Sequence, residues 1–149
     1  VYRDDLAFVV NPRHPLASSG KVSIRQLGTQ NFIAHNVPSP QRQKVIQTFK
    51  RHKTPLQMGV ELPSLEAIKR FVEMGNGVAL VPGLTVRPEL KSGALVQVQI
   101  AELQIERKLR LVYRRQANLS HAALSFLKVV EAYAAQHGDP YCFQVERGA

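Results

Sequence analysis

Three times between residues 31 and 92 the chain repeats one junction. A short apolar run stops at Pro or Ser, and a stretch able to form a helix follows. The junctions are "NFIAH" into "NVPSP", "LQMGVEL" into "PSLE", and "VALVP" into "GL". Short apolar runs of this length suit strands, and Pro or Ser at the exit suits a helix start. Strand and helix patterns that alternate in this way predict an α/β domain with a largely parallel sheet. Such sheets bind ligands outside the carboxyl ends of their strands, where helix starts present unsatisfied N–H groups to anions.

The remaining elements follow from the same rules. "DDLAFVV" (Asp4–Val10) reads as a strand, and the two prolines of "NPRHPLA" (Asn11–Ala17) make a loop. Ser23 caps a short helix in "VSIRQL", and Asn31–His35 forms a buried strand. Ser39 caps the next helix, Pro40 takes its first position, and Val45, Ile46 and Phe49 share one face, with Arg42 and Lys44 away from it. Leu56–Leu62 alternates as a strand. Ser64 opens a helix with Leu65, Ile68 and Val72 as its apolar stripe. Val78–Pro82 is a continuous apolar strand of the kind parallel sheets bury, and a short helical turn covers Val86–Lys91. Ala94–Ile100 and Arg107–Arg114 read as strands, the latter with Leu109, Leu111 and Tyr113 on one side. Ser120 caps a last helix that Gly138 ends.

A chain of 149 residues with 44% apolar content holds one domain or two small lobes with a real core. No apolar run approaches the roughly 20 residues of a membrane helix, and the start "VYRDDLAFVV" lacks a signal-peptide layout. The lone Cys142 makes no internal disulfide, and a reducing, cytoplasmic setting is expected. The net charge of +9 permits anionic partners. Its densest cluster, Lys50, Arg51, His52 and Lys53, falls at a predicted helix end, where cations complement the dipole.

Catalytic and cofactor motifs fail on order or spacing. A dinucleotide loop needs strand, glycines, then helix. Here a helix precedes Gly75-Asn76-Gly77 and a strand follows, so the glycines read as a helix stop. No Gly-Lys-Ser/Thr loop and no Gly-x-Ser-x-Gly elbow occurs, and the five histidines make no metal-binding pair. An enzyme is not expected, nor a cofactor or metal.

The order "DDLAFVVNPRHPLA", "VSIRQLGTQNFIAH", "ELPSLEAIKRFVEMGNGVALVP", "ELKSGALVQVQI", "RKLRLVYRR" and "LSHAALSFLKVVE" resembles the later part of the effector-binding domain of LysR-type transcriptional regulators. The resemblance runs from about Asp4 to Gln136. It implies an α/β, periplasmic-binding-protein-like two-lobe fold, with the second lobe nearly complete and the first truncated. Residues 11–105 would form lobe two. Residues 1–10 and 106–137 would supply the crossing strands and a remnant of lobe one, and 138–149 a tail. The effector residues it implies are His35, Asn36, Pro38 and Ser39 after the first lobe-two strand. Glu61, Pro63 and Ser64 follow the second, and Pro82 and Leu84 the third. The implied partners are a small-molecule effector, anionic in keeping with the charge, and a second copy of the chain. DNA would be reached only through an N-terminal domain absent from this chain, and no membrane partner is implied. A solute-binding protein of the same fold is the rival reading.

Overall fold

The computed structural model describes residues 2–114 and 118–141. The expectation on Cys142, and most of the tail, lie outside the described residues. Contacts divide the chain into two compact units, residues 5–105 and residues 1–4 with 106–149.

The unit of residues 5–105 is a mixed sheet with helices on both faces. Its elements are β1 (Tyr2–Val10), β2 (Lys21–Val22), a 3-10 turn (Ile24–Leu27), β3 (Asn31–His35), α1 (Pro40–Arg51) and β4 (Gln57–Leu62). Then come α2 (Leu65–Glu73), β5 (Ala79–Pro82), α3 (Gly83–Ser92) and β6 (Val96–Ile100). The strand order is β2-β6-β1-β5, with β3 and β4 paired in parallel and joined to the chain before β5 by a Phe32–Val78 bridge.

The expectation of a largely parallel sheet is corrected here. The central strand β1 runs antiparallel to both β5 and β6, pairing Phe8 with Leu80 and with Val98. A strand covered on both faces carries the same unbroken apolar run whichever way its neighbours point, so "AFVV" and "VALVP" are silent on direction. Both faces are indeed covered. Phe8 and Val10 pack with Phe32, Val98 and Ile100 under Val45 and Phe49 of α1. Ala7 and Val9 pack with Ile33 and Val81 under Ile68 and Val72 of α2 and Val86 of α3. Burying a side chain such as Phe49 contributes about 1.5–3 kcal/mol.

The helix starts follow the sequence signals. Ser39 and Ser64 cap α1 and α2 by accepting the amides of Arg42 and Ala67. Ser23 and Gln26 form a reciprocal capping box at the 3-10 turn. The Gly75 amide donates to Val72 and the Asn76 amide to Phe71, with Gly75 at φ 81°. That is a Schellman stop of α2, as the order of the motif predicts. The third helix is longer than expected. It starts at Gly83 directly after β5 and contains Pro88, which looks like a breaker in the sequence and has no N–H for the helix ladder.

The loop "NPRHPLA" is also ordered by its polar side chains. His14 Nδ1 accepts the Leu16 amide, so Nε2 carries the proton and donates to Gln30 Oε1 at 3.0 Å. Asn11 accepts the Arg13 amide and donates through Nδ2 to the Glu73 carbonyl at the end of α2.

The other unit holds the start of β1, β7 (Glu106–Leu109) and α4 (His121–His137), capped by Ser120 and stopped at Gly138. The expected strand Arg107–Arg114 is therefore cut short, and Leu109, Leu111 and Tyr113 are exposed. Arg107 meets Asp4 at 3.4 Å, and the rings of Tyr2, Tyr133, His137 and Tyr141 cluster by edge and stacked contacts. Leu124, Phe126, Val129 and Val112 lie exposed in the same unit. No helix among the described residues is long and apolar enough to cross a membrane.

Candidate functional site

The carboxyl ends of β3 and β4 lie side by side, because the two strands are parallel and in register from Ile33–Val60 to His35–Leu62. The loops that leave them start α1 and α2. Parallel pairing therefore brings residues 35–39 and 61–64 together, although more than 20 positions separate them in the chain.

Several bonds tie these loops. The Asn36 amide continues the ladder onto the Leu62 carbonyl at 3.0 Å. His35 donates through Nε2 to the Pro63 carbonyl at 3.0 Å, since a carbonyl only accepts. Arg42, in the first turn of α1, reaches back over both strand ends. Its Nη1 donates to the His35 carbonyl at 2.6 Å and to Glu61 Oε2 at 3.2 Å, and its Nη2 to Glu61 Oε1 at 2.8 Å. This two-pronged contact is the geometry a guanidinium fork gives with a carboxylate. The hydrogen bond from Arg42 holds the Glu61 carboxyl below its ordinary range. Pro38 and Ser39 lead into α1, where the Ser39 hydroxyl takes the Arg42 amide at 3.1 Å. Ser64 Oγ takes the Ala67 amide at 3.4 Å.

The third junction, Pro82 to Leu84, has different supports. Pro82 is the cap residue of α3 but makes no side-chain cap; its carbonyl accepts the Thr85 hydroxyl at 2.7 Å. Leu84 is exposed in the first turn. Lys69 of α2 donates to the Thr85 carbonyl at 2.9 Å and to Glu89 Oε1 at 2.8 Å, and it meets Glu66 at 2.7 Å. Burial works against the Lys69 charge, but the two carboxylates outweigh it and raise the pKa.

Of the expected residues, the structure bonds His35 directly to Pro63, while Asn36 is bonded to Leu62 and Glu61 to Arg42; Pro38, Ser39 and Ser64 lie on the same two loops. Arg42 and Lys69 escape the sequence reading. The helical periodicity places Arg42 away from the apolar face of α1, and Lys69 occupies a buried position of α2. Only the pairing of β3 with β4, and of α2 with α3, reveals their partners. In the other unit, Leu111, Val112, Tyr113, Leu119, Ala123, Phe126 and Leu127 line an open groove. Its mostly apolar lining offers little to orient a polar ligand.

A mixed α/β sheet with helix starts gathered at its strand ends is the periplasmic-binding-protein-like α/β class, and the comparisons agree on that fold. The model of the LysR substrate binding domain matches residues 1–135, and the chain belongs to that family. The RuBisCO operon transcriptional regulator of Allochromatium vinosum is 30% identical over 131 residues, 88% of this chain and 43% of the relative. The uncharacterized HTH-type transcriptional regulator YeiE of Escherichia coli K12 is 31% identical over 83% of this chain and 42% of its own length. The chain thus spans less than half the length of these curated relatives. Among solved structures, the regulatory domain of CcmR from Synechocystis PCC6803, in complex with 2-PG, superposes with a TM-score of 0.75 at 25% identity. The match covers 91% of this chain and 65% of that one. The effector binding domain of QuiR in complex with shikimate shares the fold at TM-score 0.75 and 19% identity. The named relatives are transcriptional regulators, which disfavours the solute-binding alternative.

Proposed function

We propose that this chain is the small-molecule-sensing part of a LysR-type transcriptional regulator and performs no catalysis. The observation that carries the reading is the family match over residues 1–135, supported by a neighbour of the same fold that holds 2-PG. The effector would bind at the carboxyl ends of β3, β4 and β5, against His35, Asn36, Pro38, Ser39, Glu61, Pro63, Ser64, Pro82 and Leu84. Two of these helix starts belong to α1 and α2, whose positive dipole ends favour an anionic group. Residues 11–105 would be lobe two. Residues 1–10 and 106–137 would be the crossing strands and lobe-one remnant, and 138–149 a tail. The division of contacts near residues 5 and 105 supports this assignment.

The mechanism would be a population shift. An effector that binds two arrangements of the regulator unequally favours one of them, and DNA-binding segments outside this chain respond. Self-association is part of the same proposal, since the exposed side chains of Val112, Phe126 and Val129 favour burial against a second copy. The setting would be cytoplasmic.

Thermal-shift measurement with 2-PG, shikimate and related carboxylates tests the site, because a ligand of the folded state alone raises the melting temperature. The shift is expected to vanish in the Ser39→Ala, Ser64→Ala double variant. A shift of undiminished size in that variant would refute the assignment.

A further inference from the structure

We infer that Arg42 is the positioning residue of the strand-end site, a clamp that sets the spacing of its two loops. The inference rests on the effector-site reading above. Arg42 holds three atoms that belong to two strands: the His35 carbonyl at the end of β3 and both carboxylate oxygens of Glu61 near the end of β4. Its own backbone amide is meanwhile fixed to the Ser39 hydroxyl, so the same residue also anchors the start of α1. One residue, through its side chain and its backbone amide, therefore ties three of the backbone segments that would surround an effector.

The clamp also changes the roles of two other residues. Both oxygens of Glu61 are engaged by Arg42, and the His35 ring is engaged by the Pro63 carbonyl. These two side chains act on a ligand through the loops they hold. Contact falls to the backbone and side chains of residues 36–39 and 63–64. A planar fork is needed for this. A lysine at position 42 keeps the charge but presents a single nitrogen, which cannot span the His35 carbonyl and both Glu61 oxygens in the same geometry. Loops held in advance lose less freedom when a ligand orders them, which raises affinity without a new contact.

Amide hydrogen exchange on the full chain tests the clamp without requiring a known effector. The reporter is the Asn36 amide, bonded to the Leu62 carbonyl across the two loops, with the Val9 amide in the central strand as reference. In Arg42→Lys, exchange at Asn36 is expected to rise about tenfold while Val9 exchange is unchanged, the pattern of local opening. Glu61→Gln, a second route to the same loosening, is expected to act in the same direction. Unchanged Asn36 exchange in both variants would overturn the inference. So would an equal rise at Asn36 and Val9, because that is general destabilisation rather than positioning. The two readings fail separately. If 2-PG or another carboxylate perturbs amides only elsewhere in the chain, the effector site is wrong while the clamp stands on its exchange result.

Discussion

The Lys69 ammonium, with its side chain 5% exposed, lies 2.8 Å from Glu89 Oε1 and bridges α2 to α3. Burying two charges is costly unless each keeps its partner. Glu89 Oε2 is buried with no hydrogen-bond partner, so the carboxylate depends on Lys69 for its neutralisation. Removal of the cation alone, in Lys69→Met, is expected to destabilise the fold by about 3–5 kcal/mol. The double variant Lys69→Met, Glu89→Leu is expected to recover most of that loss. Urea unfolding of both singles and the double gives the coupling, and additive losses would contradict the paired reading.

The two glycines of the α2 stop differ in what a side chain would meet. Gly75 sits at φ 81° in open space, so Gly75→Ala carries only left-handed strain, about 1–2 kcal/mol. Gly77 sits at φ 151°, and an added Cβ would fall 2.6 Å from the Asn31 carbonyl oxygen. That carbonyl accepts the Val78 amide where β3 meets the chain before β5. Gly77→Ala is expected to cost more than Gly75→Ala and to loosen this junction. Thermal unfolding ranks them, and equal losses would contradict the distinction.

Acid sensitivity follows from three carboxylates, Glu61 held down by Arg42 and two others. Burial tends to raise the Glu89 pKa, but Lys69 overcomes it and the net shift is downward. Glu102 is lowered by the Ile24 amide and the Ser23 hydroxyl, which its two oxygens accept at 2.8 and 2.9 Å. A folded-state pKa below the unfolded value gives stability that is complete above the ordinary value of 4.5 and is lost as pH falls through the lowered one. The urea midpoint should therefore drop as pH falls from about 5 to about 3. Glu102→Gln should show a shallower drop. An identical pH profile in that variant would remove Glu102 from the account.

Val112 is 89% exposed, Val129 64% and Phe126 56%, in a unit where Leu124 and Tyr113 are also open. Light scattering is expected to show association that rises with concentration. Phe126→Ser with Val129→Ser should reduce it without lowering the melting temperature, since neither side chain is buried within the chain. A compact monomer at every concentration would refute the self-association proposal.

Much of the local structure is legible in the sequence because it depends on local chemistry. Ser39-Pro40 and Ser64 mark the starts of α1 and α2, and Gly75 marks the stop of α2. Strand direction is not legible. Ala7, Phe8, Val9 and Val10 are buried on alternate faces, and that pattern is compatible with neighbours in either direction. The start of α3 at Gly83 carries no Ser, Thr, Asp or Asn cap to mark it, and β7 ends early because the apolar alternation of Leu109, Leu111 and Tyr113 meets no described burial. The strand-to-helix junctions of the candidate site are legible in the sequence. The clamp is not, since Arg42 and Glu61 are 19 positions apart and meet only through the β3–β4 register.

The most direct test is an amide-resolved titration of the chain with 2-PG and a panel of small carboxylates. If the effector site lies at the strand ends, a binding ligand perturbs Asn36, Ser39 and Ser64 together, with Leu84 at the third strand end, before other residues. Saturable binding that leaves those amides unmoved and perturbs others instead would contradict that placement.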